Sequence, residues 1–292
     1  MRSVRTLPRV VTSNGREVPF DDVHFAPMRD GTTLIDDPSA LRERLREDGY
    51  LLLRGVLDRE DVLAVRDAYF RTIPADFLAP GTTAAEGIFS GHVPDRLPPH
   101  GVAGHPAHAF VRSTRFAQFC ASPRLGGLAQ ALLDGPADLL PRRILRHYWR
   151  TARLASRAHT DYDYMRRGSD RFITLWIPIG DCPVETGGLV YLEGGGRLDA
   201  HQLRRLRTVT DRTDDPRPIS HDLAWTARET GRRWLWTDFR AGDVAVHSPH
   251  IAHASLDTCS DAMRLSADVR FHRRGERVDD RWTQAWSSDD GA

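Results

Sequence analysis

The sequence predicts a mainly β core with flanking helices, built as an antiparallel sandwich or barrel. Apolar residues recur at helical spacing in the first half of the chain, whereas from residue 139 the hydrophobic period shortens towards two. Gly-rich turn signals separate some of the later segments, and most of these segments follow one another without a helix between them. A chain of 292 residues, 40% of them hydrophobic, is long enough to form a large core.

The composition of the chain excludes several functional classes. Its 41 cations and 40 anions leave a net charge of +1, so we expect no nucleic-acid and no membrane partner. There is no apolar run of about 18 residues, and the first residues lack the apolar stretch of a secretory signal, which predicts a cytoplasmic location. Every cation is Arg, and the absence of Lys excludes Schiff-base chemistry and a P-loop.

The first half of the chain predicts an N-terminal arm followed by a mainly helical region that supports the β core. Residues 1–37 are rich in Pro, Asp and Arg and predict an N-terminal arm, and residues 38–138 predict mainly helices with one long loop. Leu41 and Leu45 fit a helix over Pro38–Asp48, and Asp58 is a plausible N-cap for another. The predicted helices span residues 38–48, 58–73 and 113–134, and residues 50–54 predict a buried strand.

Residues 139–272 predict the β core, and the whole chain, 1–292, reads as a single domain. The predicted strands span residues 144–151, 172–179, 188–193, 234–239, 243–248 and 265–271. An insertion at about 198–231, which begins with a helical segment, interrupts this core, and residues 273–292 form a C-terminal tail. The Pro- and Gly-rich loop at 74–108 and residues 208–231 are candidates for a lid.

Two groups of histidines fall at strand-like segments of the β core. One is His159-Thr-Asp161, and the other contains His247, His250 and His253. A non-haem Fe(II) site needs two imidazoles and one carboxylate on one face of the metal, and residues i and i+2 of a strand share a face. In a chain with 13 His the short motif alone carries little weight, so the placement of both groups in one β half is the stronger signal.

The order of these features resembles the phytanoyl-CoA dioxygenase family of Fe(II)/2-oxoglutarate-dependent oxygenases, over about residues 40 to 272. Residues 47–60 also resemble the opening strand and helix of that family. The features run along the chain as His159-x-Asp161, Trp176, Gly187-Gly188-Leu189, Gly242-Asp243, His253-Ala-Ser255 and Arg264. The resemblance implies a double-stranded β-helix, that is, a jelly-roll, cupin-like core.

The resemblance also implies the roles of individual residues. His159, Asp161 and His253 would bind iron; His253 is preferred over its neighbours because it precedes Ala-Ser and Arg264 as the family pattern requires. Arg264 would face the distal carboxylate of 2-oxoglutarate, assisted by Ser255. Trp176 would line the cosubstrate pocket, with core packing as its alternative role. For Tyr148, wall or core packing is favoured over ligand binding.

The sequence departs from the family at one turn. Leu192-Glu-Gly-Gly-Gly-Arg197 stands where many members have a Pro-Gly-Ser-His-like turn, which predicts a changed loop near the substrate. Asp161, in contrast, is intact, and this disfavours halogenation because halogenating relatives of such oxygenases carry a small residue in place of the carboxylate.

The implied cofactors are Fe(II), 2-oxoglutarate as cosubstrate and O2. The expected reaction is oxidation, usually hydroxylation, of a C–H bond with release of succinate and CO2. An arginine-rich chain of this kind suggests bacterial natural-product tailoring, with a small-molecule substrate; nothing in the sequence fixes an oligomeric state. A cupin-like metal-dependent hydrolase or isomerase, and a non-catalytic binding protein of the same fold, stay open as alternatives.

Overall fold

The structure is a computed structural model, and it describes residues 7–288 apart from 153–154, 197, 209–214 and 216. Twelve strands are present in this part of the chain: β1 (Val10–Ser13), β2 (Arg16–Pro19), β3 (Phe25–Pro27), β4 (Tyr50–Leu53), β5 (Ala137–Leu139), β6 (Ile144–Tyr148), β7 (Phe172–Pro178), β8 (Leu189–Leu192), β9 (Trp234–Trp236), β10 (Val244–His247), β11 (His253–Ser255) and β12 (Arg264–Arg273). Its α-helices are α1 (Pro38–Asp48), α2 (Arg59–Phe70), α3 (Pro106–Phe110), α4 (Thr114–Cys120), α5 (Pro123–Leu133), α6 (Asp161–Met165), α7 (Ala200–Arg207) and α8 (Leu223–Thr230).

Two sheets form a double-stranded β-helix. The larger sheet has the order β4-β10-β7-β12-β5, and β6 also pairs with β12. The smaller sheet has the order β11-β8-β9-β3, in which β3 runs parallel to β9. All pairs within the larger sheet are antiparallel. The jelly-roll core implied by the family resemblance is confirmed.

Helices cover the outer face of the larger sheet. The sequence favours α1 at its ends, because Asp37 caps the backbone N–H groups of Ser39 and Ala40, and Gly49 ends the helix at a φ of 76°. Leu41 and Leu45 of α1, with Val62 and Tyr69 of α2, are buried in the core that the sheet shares with these helices. No helix in the described residues is both long and apolar enough to cross a membrane.

A second core lies behind the smaller sheet. Val11 and Val18 of the β1–β2 hairpin pack there with Leu206 of α7 and Leu223 of α8. The predicted arm therefore contains three short strands, and the insertion contains a second helix that its polar sequence did not predict. Residues 1–6 of the arm, most of the middle of the insertion and residues 289–292 of the tail lie outside the described residues.

Candidate active site

β12 turns a polar face towards the inside of the barrel. Residues two apart on a strand share a face, and here Arg264, Ser266, Asp268 and Arg270 alternate with apolar neighbours. The intervening Leu265, Ala267, Val269 and Phe271 all belong to the core under the helices. This alternation places two arginines and a carboxylate of one strand beside the interior of the barrel, where Arg264, Asp268 and Arg270 line a small chamber.

His159, Asp161 and His253 come together at this chamber. One potential ligand atom of each lies within 4.8 Å of those of the other two. Backbone hydrogen bonds of 3.0 and 2.9 Å join His159 and His253 in an antiparallel bridge, so their imidazole centroids are 4.2 Å apart. The prediction that His159 and Asp161 share one strand is wrong: Thr160 caps α6, and Asp161 is the first residue of that helix. The turn into the helix carries the carboxylate to the imidazoles instead.

Backbone carbonyls fix the tautomers of both imidazoles. Nδ1 of His159 lies 2.6 Å from the carbonyl oxygen of Arg157, and Nδ1 of His253 lies 3.1 Å from that of Ile251. A carbonyl oxygen only accepts, so each Nδ1 carries the proton and each Nε2 keeps its lone pair. Burial also lowers the pKa of His159, and lowers that of His253 well below its usual value, which favours neutral imidazoles.

Asp161 is held as a charged carboxylate by its neighbours. Arg270 donates from Nη2 to Oδ1 at 3.0 Å and from Nε to Oδ2 at 3.2 Å. The hydroxyl of Thr174 and Nε2 of His247 also donate to Oδ2, the latter at 3.3 Å. Burial alone would raise the pKa of Asp161, but the charge of Arg270 and the hydrogen bond from His247 outweigh it and hold this pKa well below its usual range.

This donor set fits a ferrous ion. Two neutral Nε2 atoms and one carboxylate form the arrangement that non-haem Fe(II) oxygenases use. In the described residues these three are the one group of His, Cys, Asp and Glu side chains with metal-binding spacing. Partners behind each ligand orient it in the way that metal sites require.

The other two histidines of the second group have different places. His247 lies behind Asp161, and its Nδ1 accepts from the hydroxyl of Tyr191 at 2.9 Å. His250 instead lies 2.8 Å from a carboxylate oxygen of Asp170, and its ring is tilted against that of Tyr162 at a centroid distance of 4.7 Å. The geometry therefore agrees with the choice of His253 as the candidate ligand.

Arg264 and Ser255 both line the small chamber, which we call the inner chamber. The Arg264 guanidinium is buried, donates to the carbonyl oxygen of Gly187 and leaves its Nε without a partner in the described part of the chain. Oγ of Ser255 accepts from the backbone N–H of Ser156 at 2.7 Å. A buried guanidinium with an unused N–H suits a carboxylate such as that of 2-oxoglutarate.

Trp176 and Tyr148 lie near Arg264 but line different spaces. Trp176 lines the inner chamber and also packs on Phe239, with ring centroids 4.7 Å apart, a position that fits both of the roles that the sequence left open. The Tyr148 ring lies 4.1 Å from the Cζ of Arg264 and lines a larger outer cavity. The Tyr148 ring therefore lies between the Arg264 guanidinium and the outer cavity.

The outer cavity encloses about 430 Å³ and meets the inner chamber at His159, Asp161 and Arg270. His100 and Gly101 from the predicted lid loop line it, as do Asp215 and Pro218 from the insertion. The C-terminal tail adds Trp282 and Trp286, which no sequence signal indicated. A cavity of this size is in the range that encloses small organic ligands.

Sequence reasoning also missed Arg146, Thr174 and Arg270. The alternation of polar residues along β6 and β12 is a signal that could have found the two arginines, because both lie on the face of their strand that carries Tyr148 or Arg264.

The expected change near the substrate, at the Gly-rich turn after Leu192, is not found. Among residues 192–196 none lines either cavity, and Arg197 lies outside the described residues. A Cβ on Gly195 would approach the carbonyl oxygen of Glu47 to 2.1 Å, so the glycine is needed for packing against the end of α1.

The chain was compared with known proteins. The phytanoyl-CoA dioxygenase (PhyH) family matches residues 45–266. A 1-deoxypentalenic acid 11-beta-hydroxylase of Streptomyces arenae is 26% identical over 259 residues, which cover 85% of each chain. Among solved structures, the carbocyclase SnoK from nogalamycin biosynthesis has a TM-score of 0.54 at 19% identity, covering 86% of this chain and 88% of that one. The epimerase SnoN from the same biosynthesis has a TM-score of 0.53 at 21% identity, with 81% and 82% covered.

A jelly-roll core with a His-Asp-His group at its open end defines the class of non-haem iron, 2-oxoglutarate-dependent oxygenases. Within that class the chain belongs to the phytanoyl-CoA dioxygenase family. The family and enzyme class predicted from the sequence are therefore confirmed, and with them the use of iron and 2-oxoglutarate.

Proposed function

We propose that this enzyme hydroxylates a small-molecule natural product of bacterial origin. The observation that carries the proposal is the convergence of His159, Asp161 and His253 beside a cavity of about 430 Å³ in a chain of this family. The 1-deoxypentalenic acid hydroxylases, matched over 85% and 83% of this chain, support hydroxylation of a small molecule. Family membership favours an oxygenase over the hydrolase and the binding protein that the sequence left open.

Each described residue has a defined task in this proposal. His159, Asp161 and His253 would hold Fe(II), and Arg264 with Ser255 would receive the distal carboxylate of 2-oxoglutarate. When bound, Fe(II) with 2-oxoglutarate and O2 supplies an oxidant strong enough to attack an unactivated C–H bond. The protein's own contribution is to hold that bond near the metal and to exclude water, for which Trp282 and Trp286 close one side of the outer cavity.

The location and partners of the enzyme stay predictions. We propose a cytoplasmic enzyme without nucleic-acid or membrane partners, on the basis of its near-zero net charge.

An anaerobic titration with Fe(II) and 2-oxoglutarate tests the proposed function. We expect the metal-to-ligand charge-transfer absorption band of such complexes in the parent protein, no band in His253→Ala, and a markedly weaker affinity for 2-oxoglutarate in Arg264→Gln. Arg115→Gln is the matched control, because Arg115 is exposed on α4 and lines neither the inner chamber nor the outer cavity. A parent protein that gives no band rules the proposal out.

A further inference from the structure

Arg270 leaves one donor of its guanidinium unused beside the candidate metal group. Two of its nitrogens donate to Asp161, and its Cζ lies 4.4 Å from the centroid of the Trp282 ring. The Arg270 side chain is only 4% exposed, yet its buried Nη1 has no hydrogen-bond partner in the described residues. Buried N–H groups are almost always satisfied by protein, water or a ligand, and this one is available to donate to a molecule bound in the cavity.

The walls of the outer cavity are rich in guanidinium groups. Four of its described lining residues are arginines: Arg142, Arg146, Arg157 and Arg270. The two acidic residues in the same lining are already matched. Asp161 accepts from Arg270, and Asp215 accepts from Arg217 at 2.7 and 2.8 Å. The charge of the described lining therefore suits an anionic occupant.

Aromatic side chains form another part of the wall. Trp282 and Trp286 are almost fully buried, and Tyr164 also lines the cavity. The Cζ of Arg142 lies 4.8 Å from the centroid of Trp282, so a cation and an apolar surface meet at one place. An occupant with an apolar body and one anionic group would contact both.

Two sources of a carboxylate enter this enzyme, the cosubstrate and the primary substrate. Arg264, the candidate partner of 2-oxoglutarate, lines the inner chamber, as do Arg146 and Arg270. Arg142 and Arg157 line only the outer cavity. Arg142 and Arg157 are therefore the arginines placed to discriminate the primary substrate.

We propose that the primary substrate is an organic carboxylate with an apolar ring body, and that Arg142 and Arg157 determine this specificity from the outer cavity. Arg270 would offer its unused N–H to the same ligand. The inference rests on the proposed function, because it names the substrate class of the same site.

Calorimetric binding to the anaerobic protein loaded with Fe(II) and 2-oxoglutarate tests this inference. The probes are 1-deoxypentalenic acid and a set of monocarboxylates with one to three fused rings, each paired with its neutral methyl ester. We expect at least one acid to bind roughly tenfold or more tightly than its ester, which is the size of one charge-assisted hydrogen bond. The preference should fall below about threefold in Arg157→Gln and in Arg142→Gln, and should persist in the control Arg115→Gln.

Three results would overturn the inference. The first is a lack of acid preference, seen either as equal affinity for acid and ester in every pair or as no binding of any acid. The second is an acid preference that survives in Arg157→Gln. The third is displacement of the acid by excess 2-oxoglutarate, which would assign the carboxylate to the cosubstrate position. Arg157→Gln alone decides if Arg142→Gln fails to fold, because Arg142 is the more deeply buried of the two. Failure of the proposed function is recognised separately, by the missing absorption band.

Discussion

A carboxylate must stay ionised to bind a metal in a buried site, and the surroundings of the candidate ligand Asp161 keep it so. Arg270 supplies the compensating charge, while Thr174 and His247 donate to the same carboxylate. Breaking such an arrangement by removing one partner costs far more than an exposed ion pair would, because it leaves charge buried without compensation. The position of the Asp161 carboxylate in the candidate metal group thus depends on Arg270, Thr174 and His247, which are not themselves candidate ligands.

The choice between neighbouring histidines leads to a first prediction. His253→Ala removes an imidazole whose Nε2 faces the group, so Fe(II) affinity should fall by more than the roughly 10–100-fold typical of an indirect partner. His250→Ala should leave that affinity unchanged, because His250 lies beside Asp170 instead. Anaerobic metal titration of both variants is the measurement. Equal losses in the two variants would contradict the assignment.

A second prediction concerns His247 as a positioning residue. It donates to Asp161 and accepts from Tyr191, so it fixes the orientation of the carboxylate. His247→Leu should weaken Fe(II) affinity about 10–100-fold while the fold persists. Tyr191→Phe is the milder companion, since it keeps the imidazole and removes only one hydroxyl. Metal titration with circular dichroism as the fold control separates a local effect from unfolding, and unaltered affinity in His247→Leu would refute this role.

Among the secondary-structure elements, helix α2 is connected to the barrel by the hydrogen bonds of one buried arginine, Arg66. Arg66 donates to the carbonyl oxygens of Ala85 and Ile179 at 2.7 and 2.9 Å. It also reaches those of Glu86 and Met263 at 3.1 and 2.8 Å. Because Met263 precedes Arg264, this side chain links the helix to the start of β12.

The third prediction follows from these four contacts. Arg66→Met should lower the free energy of unfolding by about 2–4 kcal/mol, since it leaves buried carbonyl groups without donors. Arg71→Met on the same helix is the matched control. Its pair with Asp67 is exposed and screened by solvent, so its loss should change the stability much less. Urea denaturation of both variants provides the comparison, and similar losses would show that the carbonyl contacts are unimportant.

At the scale of the whole molecule, buried histidines make stability depend on pH. Burial lowers the pKa of His100 to about 3, with a contribution from neighbouring His105. Burial also lowers the pKa of His105 to about 4, with a contribution from His108. The unfolded chain binds these protons near pH 6.5, so the folded state loses stability as pH falls from there towards 4.

The fourth prediction is therefore a melting temperature that falls between pH 6.5 and pH 4, because the free energy of unfolding decreases by at most roughly 1.4 kcal/mol per pH unit for each histidine. His105→Asn should make the melting temperature depend less on pH, because asparagine does not titrate. Its side-chain oxygen can still cap α3, in place of the Nδ1 of His105 that accepts from the backbone N–H of Ala107. Thermal melts at constant ionic strength measure both proteins. Parallel curves for the two would count against the role of His105.

The sequence predicted more of the framework than of the cavity walls. The hydrophobic period predicted α1 with its observed bounds, and all six strands predicted for the β core are present. The missed strands are at most four residues long, as in β11, so they offer too few residues for a period to be read. The candidate metal residues were found through a pattern along the chain. Trp282 and Trp286 were not, because their position depends on how the tail folds back over the barrel, which is tertiary information.

The region that matches the dioxygenase family ends at residue 266, whereas Arg270, Trp282 and Trp286 lie after it. The two tryptophans of the outer cavity wall are thus encoded after the region that carries the candidate metal ligands, whereas Arg142 and Arg157 lie within that region. Exchanging the segment from residue 274 onward among such enzymes would accordingly alter the aromatic side of the cavity and leave Arg270, the partner of Asp161, in place.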